Sequence, residues 1–186
     1  MENEIAVLCM SRTETNPQQW AYYAESYAGI CIGIDMSFLP EQERAEVAYQ
    51  DERIRVDYAA IVAGDPQVNQ DILRAIATKH TGWKHDQEVR FFKPRESQEG
   101  YSFPPEALKE IIFGHRCDDV TIDYIEFICG RSEASPSYGC VLPDEKTFSL
   151  DVRKGLTIAQ VKEGLAVTRS RKRDIASAIP FYSGGT

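Results

Sequence analysis

Apolar positions in the first 35 residues fall into three blocks. EIAVLCM is apolar on both faces and predicts a buried central strand. In NPQQWAYYAESYAG, Asn16 suits an N-cap and Pro17 the first helical position. Trp20, Tyr23, Ala24 and Tyr27 then recur at the spacing of one helix face, and Gly29 is the expected left-handed stop. ICIGID alternates, with Ile30, Ile32 and Ile34 on one face and Cys31, Gly33 and Asp35 on the other. The chain therefore opens as strand, helix, strand.

Further along, EVAYQ and RIRVDY are weaker strand candidates. Asp65 and Pro66 repeat the cap-plus-proline signal for a helix to about His80, with Val68, Ile72, Ala75 and Ile76 inward. EVRFF predicts a strand, SFPPEALKE a short helical turn and IIFG a buried strand. Asp118 or Asp119 caps a helix over VTIDYIEFICG that Gly130 would stop, and GCVL and TFSLDV predict a hairpin across PDEK. From about Leu156 the pattern is helical, with an apolar stripe of Ile158, Val161 and Leu165 that needs a partner surface. Irregular alternation of helices and short strands points to the α+β class, a mixed or antiparallel sheet with packed helices. The expected organisation is one α+β domain over residues 1–155 and a helical C-terminal extension over 156–186.

Composition narrows the partners. The 186 residues are 42% hydrophobic and 27% charged, ordinary for a soluble globular chain. A net charge of −8 and a pI near 5.0 argue against nucleic acid or an anionic membrane as main partner. No apolar run is long enough for a membrane-spanning helix, and the acidic start does not read as a signal peptide. The five cysteines, Cys9, Cys31, Cys117, Cys129 and Cys140, are odd in number and none form a CxxC pair. Reduced thiols in a cytoplasmic protein are expected, and no metal site. The basic run Arg169, Arg171, Lys172 and Arg173 reads as a solvated helix face or a nucleic-acid contact, and the acidic balance favours the former.

Candidate chemistry centres on TGWKHDQEVRFFKP. Strand alternation puts Glu88 and Arg90 on one face and Val89 and Phe91 on the other. An extended strand is not expected to close a neat bidentate bridge between residues two apart, so each should meet a partner on a neighbouring strand. If buried, the two are a costly paired unit; if they face a cleft, they are site residues. Trp20 and Tyr27 suit core packing, whereas Tyr22 points off the stripe, where its ring could stack on a planar ligand. Gly33, inside an isoleucine-rich strand, marks close approach by a helix, another backbone or a ligand. His80 and His85 lack a metal-ligand spacing, and His115 leaves a strand into a loop, a common position for a working residue.

Three segments in order resemble a known family. VLCMSRTETNPQQWAYYAESYAGICIGID resembles a strand, a W-x-x-Y-A helix and G-x-C-hydrophobic-x-hydrophobic-D. KHTGWKHDQEVRFF resembles K-x-x-x-W-x-x-E/D-x-E-x-R, and LKEIIFGHR a strand ending in I-x-x-G. Together they resemble the bacterial DUF2971 family, of unknown function, over roughly residues 5 to 116. The resemblance implies that Trp83, Glu88 and Arg90 form one unit, and that an upstream region with a lysine–tyrosine strand and an N-D-P turn precedes this segment. Loosely, the pattern is similar to the NAD-using ADP-ribosyltransferase fold. That analogy makes Glu88 the late-strand catalytic glutamate, with Ser11 and Tyr23 near the nicotinamide; Trp20, Trp83, Arg90 and His115 are further ligand-binding candidates. Two classes therefore stand: a non-catalytic binding or interaction protein with no cofactor, and an NAD-binding enzyme. A missing upstream region would leave a sheet edge open, which points to a homodimer.

Overall fold

The structure is a computed structural model that describes residues 5–94 and 101–178, with side chains up to residue 170 except at positions 66 and 94. Its chain divides into two compact units, residues 1–13 with 39–102 and residues 14–38 with 103–186. Helices and mixed sheets place it in the α+β class.

The first unit is built on a three-stranded antiparallel sheet. Strands β1 (Ile5–Ser11) and β3 (Arg44–Glu46) flank the central β6 (Glu88–Pro94). The apolar run of β1 therefore makes an edge strand, not a buried central one, and its odd positions, Cys9 included, are exposed. Burial goes instead to β6, where Val89 and Phe91 are almost inaccessible. A second ribbon pairs β4 (Ala48–Gln50) with β5 (Thr78–His80) in parallel. RIRVDY forms no strand; Asp57 instead caps α2 (Tyr58–Ala63). Asp65 caps α3 (Pro66–Ile76) as expected, with Val68 buried and Ile72, Ala75 and Ile76 partly so. The helix ends four residues before His80, because Thr78 to His80 find strand partners in β4, and tertiary pairing overrides a weak local preference.

The second unit carries a four-stranded sheet of order β2 (Ile30–Ile34), β7 (Leu108–Phe113), β8 (Ser137–Pro143) and β9 (Leu150–Leu156). The pairs β2–β7 and β8–β9 are antiparallel, and β7–β8 is parallel. That parallel pair needs a crossover, supplied by α4 (Asp119–Arg131). Period-two alternation sorts the side chains. Ile111, Phe113, Cys140 and Leu142 pack with Ile122 and Cys129 of α4 and with α5 (Ile158–Ala178). Ile112 and Val141, on the other face, pack with Trp20 and Ala24 from the α1 region (Pro17–Tyr23). The stripe of Ile158, Val161 and Leu165 is thus covered by the chain's own core, so it leaves nothing over for a second copy. Gly130 lies inside α4, which stops at Ser132, whose hydroxyl donates to Cys129 O at 3.0 Å. In the C-terminal basic run Arg169 pairs with Asp119 at 2.9 Å, while Arg171, Lys172 and Arg173 lie outside the described side chains.

After α1 the chain departs from its expected stop. Asn16 accepts from Gln18 N at 2.9 Å, and Pro17 follows it. The helix ends at Tyr23, and Glu25, Ser26 and Tyr27 take φ of 50°, 51° and 71°, while Gly29 does not. Each left-handed non-glycine residue costs roughly 1–2 kcal/mol. The turn is held by the packing of Tyr27, whose ring stacks parallel to Trp20 at 6.4 Å and whose hydroxyl donates to Pro17 O at 2.9 Å. Tyr23, expected on the inner face, is the last helical residue and is 73% exposed, and Tyr22 is 66% exposed. Ile32 on β2 is also exposed, whereas Cys31 turns to the Trp20 cluster. At Gly33 the close neighbour is a strand: a Cβ there would lie 3.1 Å from Glu110 Cβ on β7.

Candidate functional site

The acid and base of β6 belong to a closed charge network in the first unit. Lys79, on β5, sends its Nζ to Asp86 Oδ2 at 2.7 Å and to Glu88 Oε2 at 2.8 Å. Arg90 Nε meets the other Glu88 oxygen, Oε1, at 2.6 Å, and its Nη1 donates to Ile76 O. As expected, the two do not close a bidentate bridge: one contact joins them, and Glu88 meets a second partner, Lys79, on another strand. The contact uses the Nε edge of Arg90 alone, which leaves the rest of the guanidinium for the α3 terminus. Asp86 is 2% and Glu88 8% exposed, so both carboxylates need these cations. Two positive and two negative charges cancel.

Trp83 and Asp86 are placed by a short 3-10 segment, Thr81–Asp86, with the His80 side chain accepting from Gly82 N at 3.1 Å. Lys79 Nζ lies 4.9 Å from the Trp83 ring centroid, a cation–π distance. His85 packs on Trp83 at 6.0 Å and sets Nε2 3.5 Å from Asp86 Oδ1. Gln87 takes φ 45°, which turns the chain from this segment into β6. The Glu88 N–H then donates to the Tyr49 hydroxyl at 2.8 Å. Across the ladder Ser11 stands opposite Glu88 and Cys9 opposite Arg90. The Ser11 hydroxyl donates to Asp86 O at 2.7 Å.

Desolvation pushes the Glu88 carboxyl up, but hydrogen bonds from Arg90, Lys79 and Cys9 outweigh it and hold the pKa at about 2. Burial would lower Lys79, yet its bonds to Asp86 and Glu88 raise it above the usual lysine value. Although Cys9 lies at the sheet surface, partial desolvation against β6, then the Glu88 carboxylate, pushes its thiol up, which is the opposite of what a thiolate nucleophile needs. Glu88 is thus ionised at neutral pH, an acceptor whose two oxygens are both engaged.

The remaining candidates lie in the second unit. Trp20 is a core residue whose indole N–H donates to Glu14 O at 2.7 Å. Tyr23 is on the surface. His115 is buried, 4.6 Å from the Tyr27 ring, in the loop that follows β7. That loop is pinned to the left-handed turn: Gly114 N donates to Gly29 O at 3.0 Å and Arg116 N to Tyr27 O at 3.0 Å. Trp83, Glu88, Arg90 and Ser11 are brought together, then, and Trp20 and His115 each contact Tyr27. Lys79 and Asp86 are the members of this network that a search for one acid and one base passes over. Their signal is in the motif itself, since K-x-x-x-W-x-x-E/D-x-E-x-R runs through Lys79, Trp83, Asp86, Glu88 and Arg90.

No curated protein and no solved structure matches the chain. The family model of DUF2971, a protein family of unknown function, matches residues 19–91, less than half of the chain but all of the Lys79-to-Arg90 motif. Over that span the resemblance holds: residues 19–91 are similar to the DUF2971 family.

Proposed function

We propose that this chain is a non-catalytic binding or interaction protein of a bacterial cytoplasm, and that its Lys79–Trp83–Asp86–Glu88–Arg90 motif braces the first unit. The observation that carries this reading is the saturation of Glu88, with Lys79 on one oxygen and Arg90 on the other. A general base needs a pKa nearer neutrality, and a carboxylate held at about 2 with a cation on each oxygen is a poor proton acceptor. A carboxylate that stabilises an oxocarbenium centre needs its charge uncancelled, whereas Lys79 and Arg90 cancel this one. Cytoplasmic placement is supported by Cys117, Cys129 and Cys140, which pack as buried free thiols.

One observation favours the ADP-ribosyltransferase-like alternative: Ser11 sits directly across the ladder from Glu88, an early-strand polar residue beside a late-strand acid. NAD separates the two. The brace reading expects no NAD consumption and no melting-temperature rise at millimolar NAD. It expects Glu88→Gln to cost about 3 kcal/mol, because the cations lose their counter-charge, and to lower the urea midpoint by roughly 1–2 M. An unchanged midpoint together with lost NAD binding or turnover would overturn it.

Self-association belongs to the same reading, through a face other than the C-terminal stripe. Val120, Tyr124, Phe127 and Ile128 are exposed along one side of α4. A second copy packed antiparallel on this helix would set the acidic first turn, with Asp119, beside the basic last turn, with Arg131. Such a contact is self-complementary and closes as a two-fold dimer.

A further inference from the structure

We infer that a cleft in the second unit binds a small planar ligand carrying an anionic group, an inference that rests on reading the chain as a non-catalytic binder. The cleft lies between the left-handed turn after α1 and the loop joining β8 to β9, with a volume of about 540 Å³. Ligand sites typically span roughly 300–1,000 Å³. One wall is Tyr27 with the buried His115 against its ring. Thr147, Phe148 and Ser149 of the β8–β9 loop also line the cleft, with the Phe148 ring uncovered.

Phe148 is fully exposed on a loop that is itself well tied. Asp144 Oδ1 accepts from Lys146 N at 2.8 Å, Thr147 N at 2.7 Å and Thr147 Oγ1 at 2.9 Å. A rigid loop that holds an uncovered aromatic ring at a cleft edge is a stacking platform. Arg116 supplies the charge. Its Nη1 reaches Ser26 O at a long 3.4 Å, and among the described residues no carboxylate pairs with it. A planar guanidinium with spare donors suits a carboxylate or phosphate. Asp144 also lines the cleft, with Oδ1 committed to its own loop. Its negative charge directs a ligand anion to the Arg116 side and leaves the ring to Phe148.

The backbone adds an independent reason. The Glu25–Ser26–Tyr27 turn is costly and sits at the cleft wall, and outliers of this kind gather at binding sites. The contacts of Tyr27 O with the Gly114–Arg116 loop fix its geometry, and they place Ser26 and Arg116 side by side.

Calorimetric titration of the full chain with AMP and, separately, with indole-3-acetate tests this and tells a nucleotide source from an aromatic carboxylate. Saturable one-to-one binding of at least one probe is expected. Arg116→Gln and Phe148→Ala, both at exposed positions, should each weaken it tenfold or more with an unchanged circular dichroism spectrum. No saturation by either probe at millimolar concentration, or an affinity unchanged in either variant, overturns the inference. NAD turnover that depends on Glu88 would sink the non-catalytic reading alone, since the cleft measurement uses neither NAD nor Glu88.

Discussion

Glu88 is a residue whose ionisation is part of the fold. Its carboxyl has a folded value of about 2 against an ordinary 4.5. A depressed carboxyl stabilises the native state above its unfolded value, and that contribution disappears as pH falls through the folded value. The window is therefore pH 4.5 down to about 2, and the size on the order of 3 kcal/mol. Other carboxylates with lowered values, Glu46 and Asp118 among them, add their own acid lability. The difference between wild type and Glu88→Gln isolates this one. The stability gap between the two proteins, followed by urea denaturation, should be widest near neutrality and shrink below pH 4.5. A gap constant with pH would mean that the Lys79 and Arg90 contacts do not hold the carboxylate. The same arrangement explains why the pair could not be assigned from β6 alone: the deciding cation, Lys79, comes from another strand.

At the scale of elements, the left-handed turn after α1 and the loop after β7 depend on each other. A Cβ on Gly114 would lie 2.1 Å from Tyr27 O and 3.0 Å from Gly29 O. Both are backbone atoms and cannot swing aside as a side-chain tip does. Gly114→Ala must therefore push the turn off the loop, breaking the Arg116 N to Tyr27 O bond and loosening the Trp20–Tyr27 stack. The expected cost is about 3 kcal/mol or more, as for other overpacked sites. Thermal denaturation checks it: a melting temperature within a degree or two of wild type would show that the turn is free to relax. Asn16 offers the contrasting case, a local cap whose loss to alanine should cost only about 1 kcal/mol.

For the whole molecule, the testable property is its mass in solution. The exposed side of α4 holds Val120, Tyr124, Phe127 and Ile128 in helical register, while its opposite side, Ile122 and Cys129, is packed in the core. A helix apolar on both sides asks for a second partner surface. Light scattering should give twice the chain mass, and Tyr124→Glu with Phe127→Glu should give the monomer without unfolding it. A monomeric wild type across a wide concentration range rules out this pairing.

Local chemistry was legible in the sequence alone. The Asn16–Pro17 and Asp65–Pro66 helix starts, the face alternation of Glu88 and Arg90 against Val89 and Phe91, the β8–β9 hairpin and the α+β class all follow from short-range rules. Each depends on neighbours within a few residues, where propensity, capping and pleat act directly. Even the five-residue motif was visible as a spacing. What waited for the tertiary structure was every feature fixed by a distant partner. The apolar run of β1 became an edge strand because β6 took the centre of its sheet. The helix thought to reach His80 gave way to a strand because β4 lay beside it. The turn at Tyr27, not Gly29, closed α1 because the Tyr27 ring stacks on Trp20, its hydroxyl donates to Pro17 O and its carbonyl accepts from Arg116 N, contacts that hold a left-handed backbone in place. Long-range packing decides such cases, since several tertiary contacts acting together offset a local cost of about 1–2 kcal/mol for each left-handed residue.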